Sequence, residues 1–134
     1  MIGSLNEKFD KAYDVAREIL EDTAGFAKEG IESSQLFECA LKKAKTAKLE
    51  EYFMGHGTGK VGFLGHGLGL EVNELPVITP RNPKILQEGM VFAVEPKFVF
   101  PGEGSIGVEA DFIVRKDSLE RVTVTPLDLV RLSP

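Results

Sequence analysis

The sequence predicts an α+β fold in which two N-terminal helices pack on a mostly antiparallel sheet. No proline precedes Pro76, and seven of the 14 glycines lie between Gly55 and Gly69. Apolar residues recur at helical spacing before this glycine-rich stretch and alternate with polar residues after it. The 134 residues are therefore expected to form a single domain, 1–134, with a helical layer at 4–50, a glycine-rich connector at 54–70 and a sheet at 71–134.

The first helix is expected to begin at Ser4 and to end at Gly30. Ser4 and Glu7 have the spacing of a capping box, and glycine commonly follows the last residue of a helix. Between these ends, an apolar stripe recurs in steps of three and four residues: Leu5, Phe9, Tyr13, Ala16, Ile19, Leu20 and Phe26.

A second helix is expected to begin after Ser33 or Ser34, because serine is a frequent N-cap. Its inward positions are predicted to be Leu36, Phe37, Ala40, Ala44 and Ala47. Four lysines cluster on this helix, which is typical of a solvated helix face: Lys42, Lys43, Lys45 and Lys48.

Alternation predicts the strands of the second half. In a strand at 90–95, Phe92 and Val94 share one face and Glu95 lies on the other. In a strand at 106–114, Glu109 lies opposite a run of apolar positions: Ile106, Val108, Ala110, Phe112 and Val114. Two turns and a last strand complete the expected sheet: Pro101–Gly104, Asp117-Ser118 and 121–125.

The composition excludes several classes of protein. Acidic residues number 21 and basic residues 16, which gives a net charge of −5, and no segment forms a basic stripe. We therefore expect neither nucleic acid nor a membrane as a partner. The single cysteine, Cys39, excludes an intramolecular disulfide and a cysteine-rich zinc site and favours a reducing, cytoplasmic setting.

The two histidines, His56 and His66, each lie in a Gly-His-Gly triplet. Neighbouring glycines remove steric cover, so that an imidazole can approach a metal ion or a substrate closely. A flexible loop whose histidines form local hydrogen bonds is the alternative, and the triplets alone do not exclude it.

Glu95 and Glu109 each belong to a strand of aliphatic and aromatic residues. A carboxylate that points into a core needs a partner such as a bound cation, whereas one on a solvent-facing side needs none. One histidine and two carboxylates form a known ligand set for a divalent metal ion. The sequence pattern leaves open whether His66, Glu95 and Glu109 converge.

A nucleotide-binding loop is a weaker alternative. Residues 57–62 match the letters of a dinucleotide fingerprint, but a helix is expected before them and an extended segment at 69–72 after them. The fingerprint requires a preceding strand and a following helix. Cys39 is expected to be buried on its helix and not to act as a nucleophile.

Three motifs, taken in order, resemble those of the pita-bread metallopeptidases, which include prolidase, aminopeptidase P, methionine aminopeptidase and creatinase. The motifs are the histidine-glycine segment 63–76, the segment GMVFAVEP at 89–96, and the segment 101–109 with its turn and Val108-Glu109. Their order and spacing are similar to those of the Xaa-Pro peptidase branch. The resemblance covers essentially the whole chain and implies the C-terminal half of a pita-bread fold.

The resemblance implies a role for each candidate residue. His66, Glu95 and Glu109 correspond to metal ligands, with Glu95 also catalytic and Glu109 bridging two ions. Asn73 stands at a catalytic, substrate-contacting position where the family usually has a second histidine, and His56 is a candidate substrate contact at the rim of the cleft. The implied reaction is hydrolysis of a peptide bond near a free N-terminus, with manganese, cobalt, zinc or iron activating a water molecule.

Two departures from the family pattern modify these expectations. The family supplies two metal-binding aspartates from a hairpin that precedes the helices, and these aspartates have no counterpart in this sequence. We therefore expect at most one metal ion, weak activity of the isolated chain, and completion of the site by a homodimer or a complementary N-terminal half. Because Asn73 replaces a histidine, a non-catalytic module that binds peptide or protein is the alternative function.

Overall fold

The computed structural model describes residues 6–132. Within this range two helices and a 3₁₀ turn precede seven strands. The helices are α1 (Glu7–Phe26) and α2 (Ser33–Thr46), and the 3₁₀ turn is Gly57–Gly59. The strands are β1 (Gly65–Gly67), β2 (Glu74–Ile78), β3 (Val91–Val94), β4 (Lys97–Phe100), β5 (Gly104–Gly107), β6 (Ala110–Val114) and β7 (Leu119–Arg121).

Five of these strands form an antiparallel sheet in the order β2-β1-β3-β6-β7, and β4 pairs with β5 in a separate hairpin. The two helices pack on each other; α1 also packs against β4, β5 and β7, and α2 against β2. The predicted α+β class, with two helices on a mostly antiparallel sheet, is confirmed. Neither helix of residues 6–132 has the length and apolar character needed to cross a membrane.

The described part of α1 begins with Asn6 as its N-cap, where the Asn6 Oδ1 accepts a hydrogen bond from the Lys8 N–H at 3.1 Å. Ser4, the predicted start, lies outside the described residues, as does Leu5. The helix ends at Phe26, before the predicted stop at Gly30, because Ala27 adopts an extended backbone and is buried. Gly30 instead lies in the following turn with a φ of +84°.

The buried stripe of α1 overlaps only partly with the predicted one. Ala16, Ile19 and Leu20 are buried as predicted, whereas Phe9, Tyr13 and Phe26 are half-buried. The remaining inward positions are residues that the prediction omitted: Ala12, Val15 and Thr23. Phe9 instead packs its ring edge-on against Phe100 of β4, with centroids 4.9 Å apart.

The predicted serine caps of α2 are instead its first two helical residues, and Glu32 is the N-cap. Ser33 exchanges hydrogen bonds with Lys84, since its N–H donates to the Lys84 carbonyl at 2.8 Å and its Oγ accepts from the Lys84 N–H at 3.0 Å. Of the predicted inward residues, Leu36, Ala40 and Ala44 are buried, and Phe37 and Ala47 are half-buried.

Lys43 is the exception within the lysine cluster, because it reaches across to α1. Its Nζ lies 2.8 Å from Asp22 and 3.2 Å from Glu18, and these hydrogen bonds raise the pKa of the Lys43 ammonium above its ordinary value. The other lysines of the cluster are exposed, as a solvated helix face requires: Lys42, Lys45 and Lys48.

The glycine-rich segment 54–70 is not only a connector, because it contains β1, which lies between β2 and β3 in the sheet. The expected extended segment at 69–72 is instead a series of bends between β1 and β2. Residues 57–62 begin with the 3₁₀ turn and are followed by β1, so they lack the preceding strand and the following helix of a dinucleotide loop.

Close strand approach explains why glycines flank His66. A Cβ at Gly65 would lie 1.9 Å from the carbonyl oxygen of Ala93, and one at Gly67 would lie 2.3 Å from that of Leu75. A side chain at either position would collide with the backbone of a neighbouring strand. The two glycines are therefore required by the packing of β1 between its neighbours.

The predicted strand at 106–114 is two strands, β5 and β6, in different sheets. The ladder breaks at Val108, whose N–H donates to the carbonyl of Pro96 at 3.2 Å, and Pro96 likewise separates β3 from β4. Proline has no N–H to donate to a ladder, which accounts for the break on that side. The last strand is β7 rather than 121–125, and the turn before it is present as predicted.

The core lies between the helices and one face of the large sheet. On that face Phe92 and Val94 of β3 are buried, and so are the alternate residues of β6: Ala110, Phe112 and Val114. The alternation therefore predicted correctly which residues of β3 and β6 face inward. The opposite face carries His66, Asp111 and Ile113, which are all half-buried.

We predict that Gly65→Ala destabilises the fold by about 3 kcal/mol or more, because the new methyl group must push β1 away from β3. Gly25→Ala in α1 is the matched control, since a Cβ there meets nothing within 4 Å. Replacing glycine by alanine in a helix stabilises it by roughly 0.5–1 kcal/mol. Urea unfolding followed by circular dichroism measures both, and equal effects of the two substitutions would contradict the role of Gly65.

Candidate active site

One face of the large sheet carries three of the predicted site residues. His66 of β1 pairs with Ala93 of β3, and Ala93 pairs with Asp111 of β6. Residues that are directly opposite each other in a sheet project to the same side. Glu95 lies two residues after Ala93 and Glu109 two residues before Asp111, so alternation places both on this side as well.

Glu95 is held in register by its backbone. Its N–H donates to the carbonyl of Leu64 at 2.9 Å, which extends the pairing between β1 and β3 by one residue. The Nε2 atom of His66 lies 3.6 Å from Oε1 of Glu95, and the two side chains are 14% and 19% exposed. The fold thus brings an imidazole and a carboxylate from distant parts of the sequence close together at a largely buried position.

The other ring nitrogen of His66 lies close to its own strand. Its Nδ1 is 3.1 Å from the carbonyl oxygen of Gly67, and only a protonated Nδ1 can donate there. In a neutral imidazole this leaves the Nε2 lone pair directed toward Glu95. Histidine ligands of metal ions commonly have this arrangement, in which one nitrogen donates to a carbonyl and the other binds the ion.

Glu109 lines two cavities but is itself an exposed residue. It shares a cavity of about 230 Å³ with Glu95, and a second cavity of about 320 Å³ with His66 and Asp111. The sequence left open whether these carboxylates point into the core or toward solvent. Glu109 lies on a solvent-facing side, whereas Glu95 is largely buried.

Within residues 6–132, no group of three histidine, cysteine, aspartate or glutamate side chains is arranged to hold a metal ion. His66 and Glu95 are adjacent, but Glu109 does not join them in one cluster. The described residues therefore do not form a complete divalent-metal site. A common ion would require a movement of Glu109 toward His66 and Glu95, or a further ligand in its place.

Asn73 directly precedes β2, whereas His66 belongs to β1. Both residues line a cleft of about 360 Å³ that is otherwise bordered largely by apolar side chains, including Leu75 and Val77. Leu75 is 65% exposed, so this wall is open to a ligand. The structure therefore brings Asn73 and His66 to one cleft, as the sequence motif implies.

His56 belongs to a different cluster. Its ring stacks on Tyr52 with centroids 5.9 Å apart, and its Nδ1 lies 3.9 Å from Glu51 Oε1. The sequence prediction of a substrate contact at His56 has no geometric support from these neighbours. Of its glycine neighbours, Gly57 begins the 3₁₀ turn and Gly55 lies in a bend before it. Neither lies in a strand, which distinguishes this triplet from the one around His66.

Two further residues lie near Glu95 and Glu109, and of these only Lys97 was not identified from the sequence. Lys97 donates from Nζ to Glu95 Oε2 at 3.2 Å, and Asp111 accepts from the hydroxyl of Thr123 at 3.3 Å. Alternation predicts that Asp111 shares a face with Glu109, because the two are two residues apart. Lys97 is likewise two residues from Glu95, but the motif at 89–96 ends before it.

Cys39 is half-buried on α2 and lies apart from this face. Burial raises the pKa of the Cys39 thiol above its ordinary value, and the nearby Asp22 carboxylate adds to this effect. A raised pKa disfavours the thiolate, which is the nucleophilic form. This agrees with the expectation that Cys39 is not a nucleophile.

The comparisons with known proteins identify the family. Residues 1–116 match metallopeptidase family M24. The chain belongs to this family. The suspected relationship to pita-bread metallopeptidases is thereby confirmed, and the two helices on an antiparallel sheet are the C-terminal half of that fold.

Its relatives include peptidases with specificity for proline. The chain is 32% identical to the Xaa-Pro dipeptidase of Pyrococcus horikoshii over 130 residues, which are 97% of this chain and 35% of that protein. It is 33% identical to the Xaa-Pro dipeptidase of Lactobacillus delbrueckii subsp. lactis over 127 residues, which are 95% of this chain and 33% of that protein.

A solved structure shows the same backbone arrangement. The X-Pro aminopeptidase of Thermotoga maritima superimposes with a TM-score of 0.88 at 29% identity, over 98% of this chain and 35% of that one. The chain thus spans about a third of the length of the relatives it matches. Because the family is one of metallopeptidases, a divalent metal ion is expected in its members.

Proposed function

We propose that this chain supplies the His66, Glu95 and Glu109 part of an Xaa-Pro-type metallopeptidase centre that hydrolyses a peptide bond near a free N-terminus. The observation that carries the proposal is the adjacency of His66 and Glu95 on the face that also bears Glu109. The similarity to Xaa-Pro dipeptidases supports the substrate class. The proposed ion is manganese, cobalt, zinc or iron, with at most one bound by this chain alone, in the cytoplasm.

The cleft next to His66 supports a peptide as the ligand. Leu75 and Val77 offer an apolar wall of the kind that accommodates a proline ring. The amide of Asn73 can donate to a peptide carbonyl and accept from a peptide N–H, but it neither gains nor loses a proton at neutral pH. In this proposal Asn73 therefore orients the substrate and transfers no proton.

The centre is proposed to need a complementary segment, either an N-terminal half or a second copy of this chain. The incomplete ligand set within residues 6–132 supports this requirement. Two apolar residues, Leu70 and Val72, are 103% and 80% exposed and line the same cavity as Glu109. Exposed apolar residues beside an incomplete site are typical of an interface.

A second candidate function is a peptide-binding module without catalysis. The ion pair between Lys97 and Glu95 favours it, because the proposed ligand carboxylate already has a cationic partner. The two functions differ in one respect that can be measured. A binding module takes up a peptide in the cleft whether or not EDTA is present, whereas a hydrolase consumes the peptide only with metal.

The metal-ligand proposal is tested on the two histidines. We expect added Mn²⁺ to broaden the ring-proton NMR signals of His66 more strongly than those of His56, because His56 stacks on Tyr52 and is not one of the proposed ligands. His66→Ala assigns the signals and His56→Ala is the matched control. Equal broadening of both rings, or broadening of His56 alone, would contradict the assignment.

The catalytic proposal concerns the isolated chain. With Mn²⁺, we expect it to cleave an Xaa-Pro dipeptide at least about a hundredfold more slowly than the Pyrococcus horikoshii dipeptidase, because an incomplete ligand set weakens both the ion and its activation. Chromatographic detection of free proline measures the rate. Glu95→Gln is expected to remove the residual rate, and an unchanged rate in that variant would show that the hydrolysis arises elsewhere.

The interface proposal predicts self-association. Light scattering at micromolar concentration is expected to give the mass of a dimer, and the double substitution Leu70→Ser/Val72→Ser to shift the mass toward that of a monomer. Val124→Ser, at an 89% exposed residue after β7, is the control and is expected to leave the mass unchanged. A monomeric parent chain would refute the homodimer and leave a complementary N-terminal half as the proposed partner.

A further inference from the structure

Lys97 is the charged neighbour that accompanies Glu95 in this chain. Its Nζ donates to Glu95 Oε2 at 3.2 Å, and the two side chains are 39% and 19% exposed. The other carboxylate oxygen, Oε1, faces His66 Nε2 at 3.6 Å. We infer that Lys97 is an internal counter-ion of Glu95, which occupies one side of the carboxylate and lowers its affinity for a divalent cation.

Gly107 makes this position possible for Lys97. The two residues are paired across β4 and β5. A Cβ at Gly107 would lie 2.7 Å from the Cβ of Lys97 and 2.7 Å from the carbonyl oxygen of Pro96, which is closer than real Cβ atoms approach. Glycine at 107 therefore leaves the space next to the lysine stem, and the hairpin pairing directs that stem toward Glu95.

The Lys97 ammonium lies near both proposed carboxylate ligands. Lys97, Glu95 and Glu109 line the same cavity of about 230 Å³. A divalent ion held by the Glu95 carboxylate would lie within a few ångströms of the Lys97 charge, so the two cations would repel each other. Lysine carries a compact charge on a flexible stem and can move into solvent, so Lys97 weakens binding of the ion without excluding it.

The effect of Lys97 on metal affinity depends on how strongly its charge interacts with Glu95 and with the ion. Partly exposed ion pairs stabilise proteins only slightly, because solvent screens them. Repulsion between an ammonium and a divalent ion at the same carboxylate acts in addition, since the cation has twice the charge. Removal of the lysine charge is therefore expected to raise metal affinity by about tenfold or more.

The inference rests on the proposed function insofar as it assigns Glu95 to a metal site. The experiment measures Mn²⁺ binding to the full 134-residue chain by titration calorimetry, with no peptide present. Lys97→Gln removes the charge and keeps the polar stem, and we expect it to bind Mn²⁺ about tenfold or more tightly than the parent chain. Lys97→Arg retains the charge and is expected to bind like the parent chain.

Two further variants assign the gain to this site. Lys45→Gln removes a charge from an exposed position on α2 and is the control for net charge, so no gain is expected. Adding His66→Ala to Lys97→Gln is expected to cancel the gain. Thermal unfolding monitors folding of every variant, and Lys97→Met serves as the second neutral variant if Lys97→Gln is unstable.

The outcomes separate the inference from the proposed function. Tight and equal Mn²⁺ binding by the parent chain and Lys97→Gln overturns the counter-ion role and leaves the metal-ligand proposal intact. The absence of binding in every variant overturns both. A gain that Lys45→Gln reproduces, or that persists without His66, also overturns the inference, because the charge then acts elsewhere.

Discussion

The close approach of β1 to β3 is the constraint on which the rest of the structure depends. The backbone of β3 leaves no space for a side chain at Gly65, and the same pairing sets His66 opposite Ala93 and Glu95 against Leu64. A slip of one residue would turn every side chain of β1 to the other face. The Gly-His-Gly triplet is thus a packing requirement, and the position of the imidazole beside Glu95 is its consequence.

The sequence predicted correctly those strands in which the alternation of apolar and polar residues reflects burial directly. Alternation gave the inward faces of β3 and β6 correctly, because Phe92 and Phe112 face a continuous core. It failed at Val108, where the strand leaves one sheet for another, since alternation continues on both sides of a break. The glycine-rich segment was read as a connector because the need for glycine at 65 comes from the backbone of β3, which is distant in sequence.

Only the site residues that lie within the sequence motifs could be predicted. The motifs around His66 and Glu95 named two residues that the fold places 3.6 Å apart. His56 has the same local sequence as His66 but stacks on Tyr52, because its flanking glycines serve a turn and not a strand. Lys97 lies outside these motifs, because the segment at 89–96 ends one residue before it, and its hydrogen bond to Glu95 depends on side-chain placement in the folded chain.

The core and the candidate centre lie on opposite faces of one sheet. Different residues therefore determine the stability of the fold and the chemistry of the site. Phe92 and Val94 bury their side chains against the helices, whereas Glu95, the next residue, turns to the other face. Substitutions on the second face alter charge and hydrogen bonding without opening a cavity in the core. A lysine beside Glu95 and an asparagine at 73 can therefore change what the site binds while the half-fold keeps the backbone of its peptidase relatives, as the TM-score of 0.88 indicates.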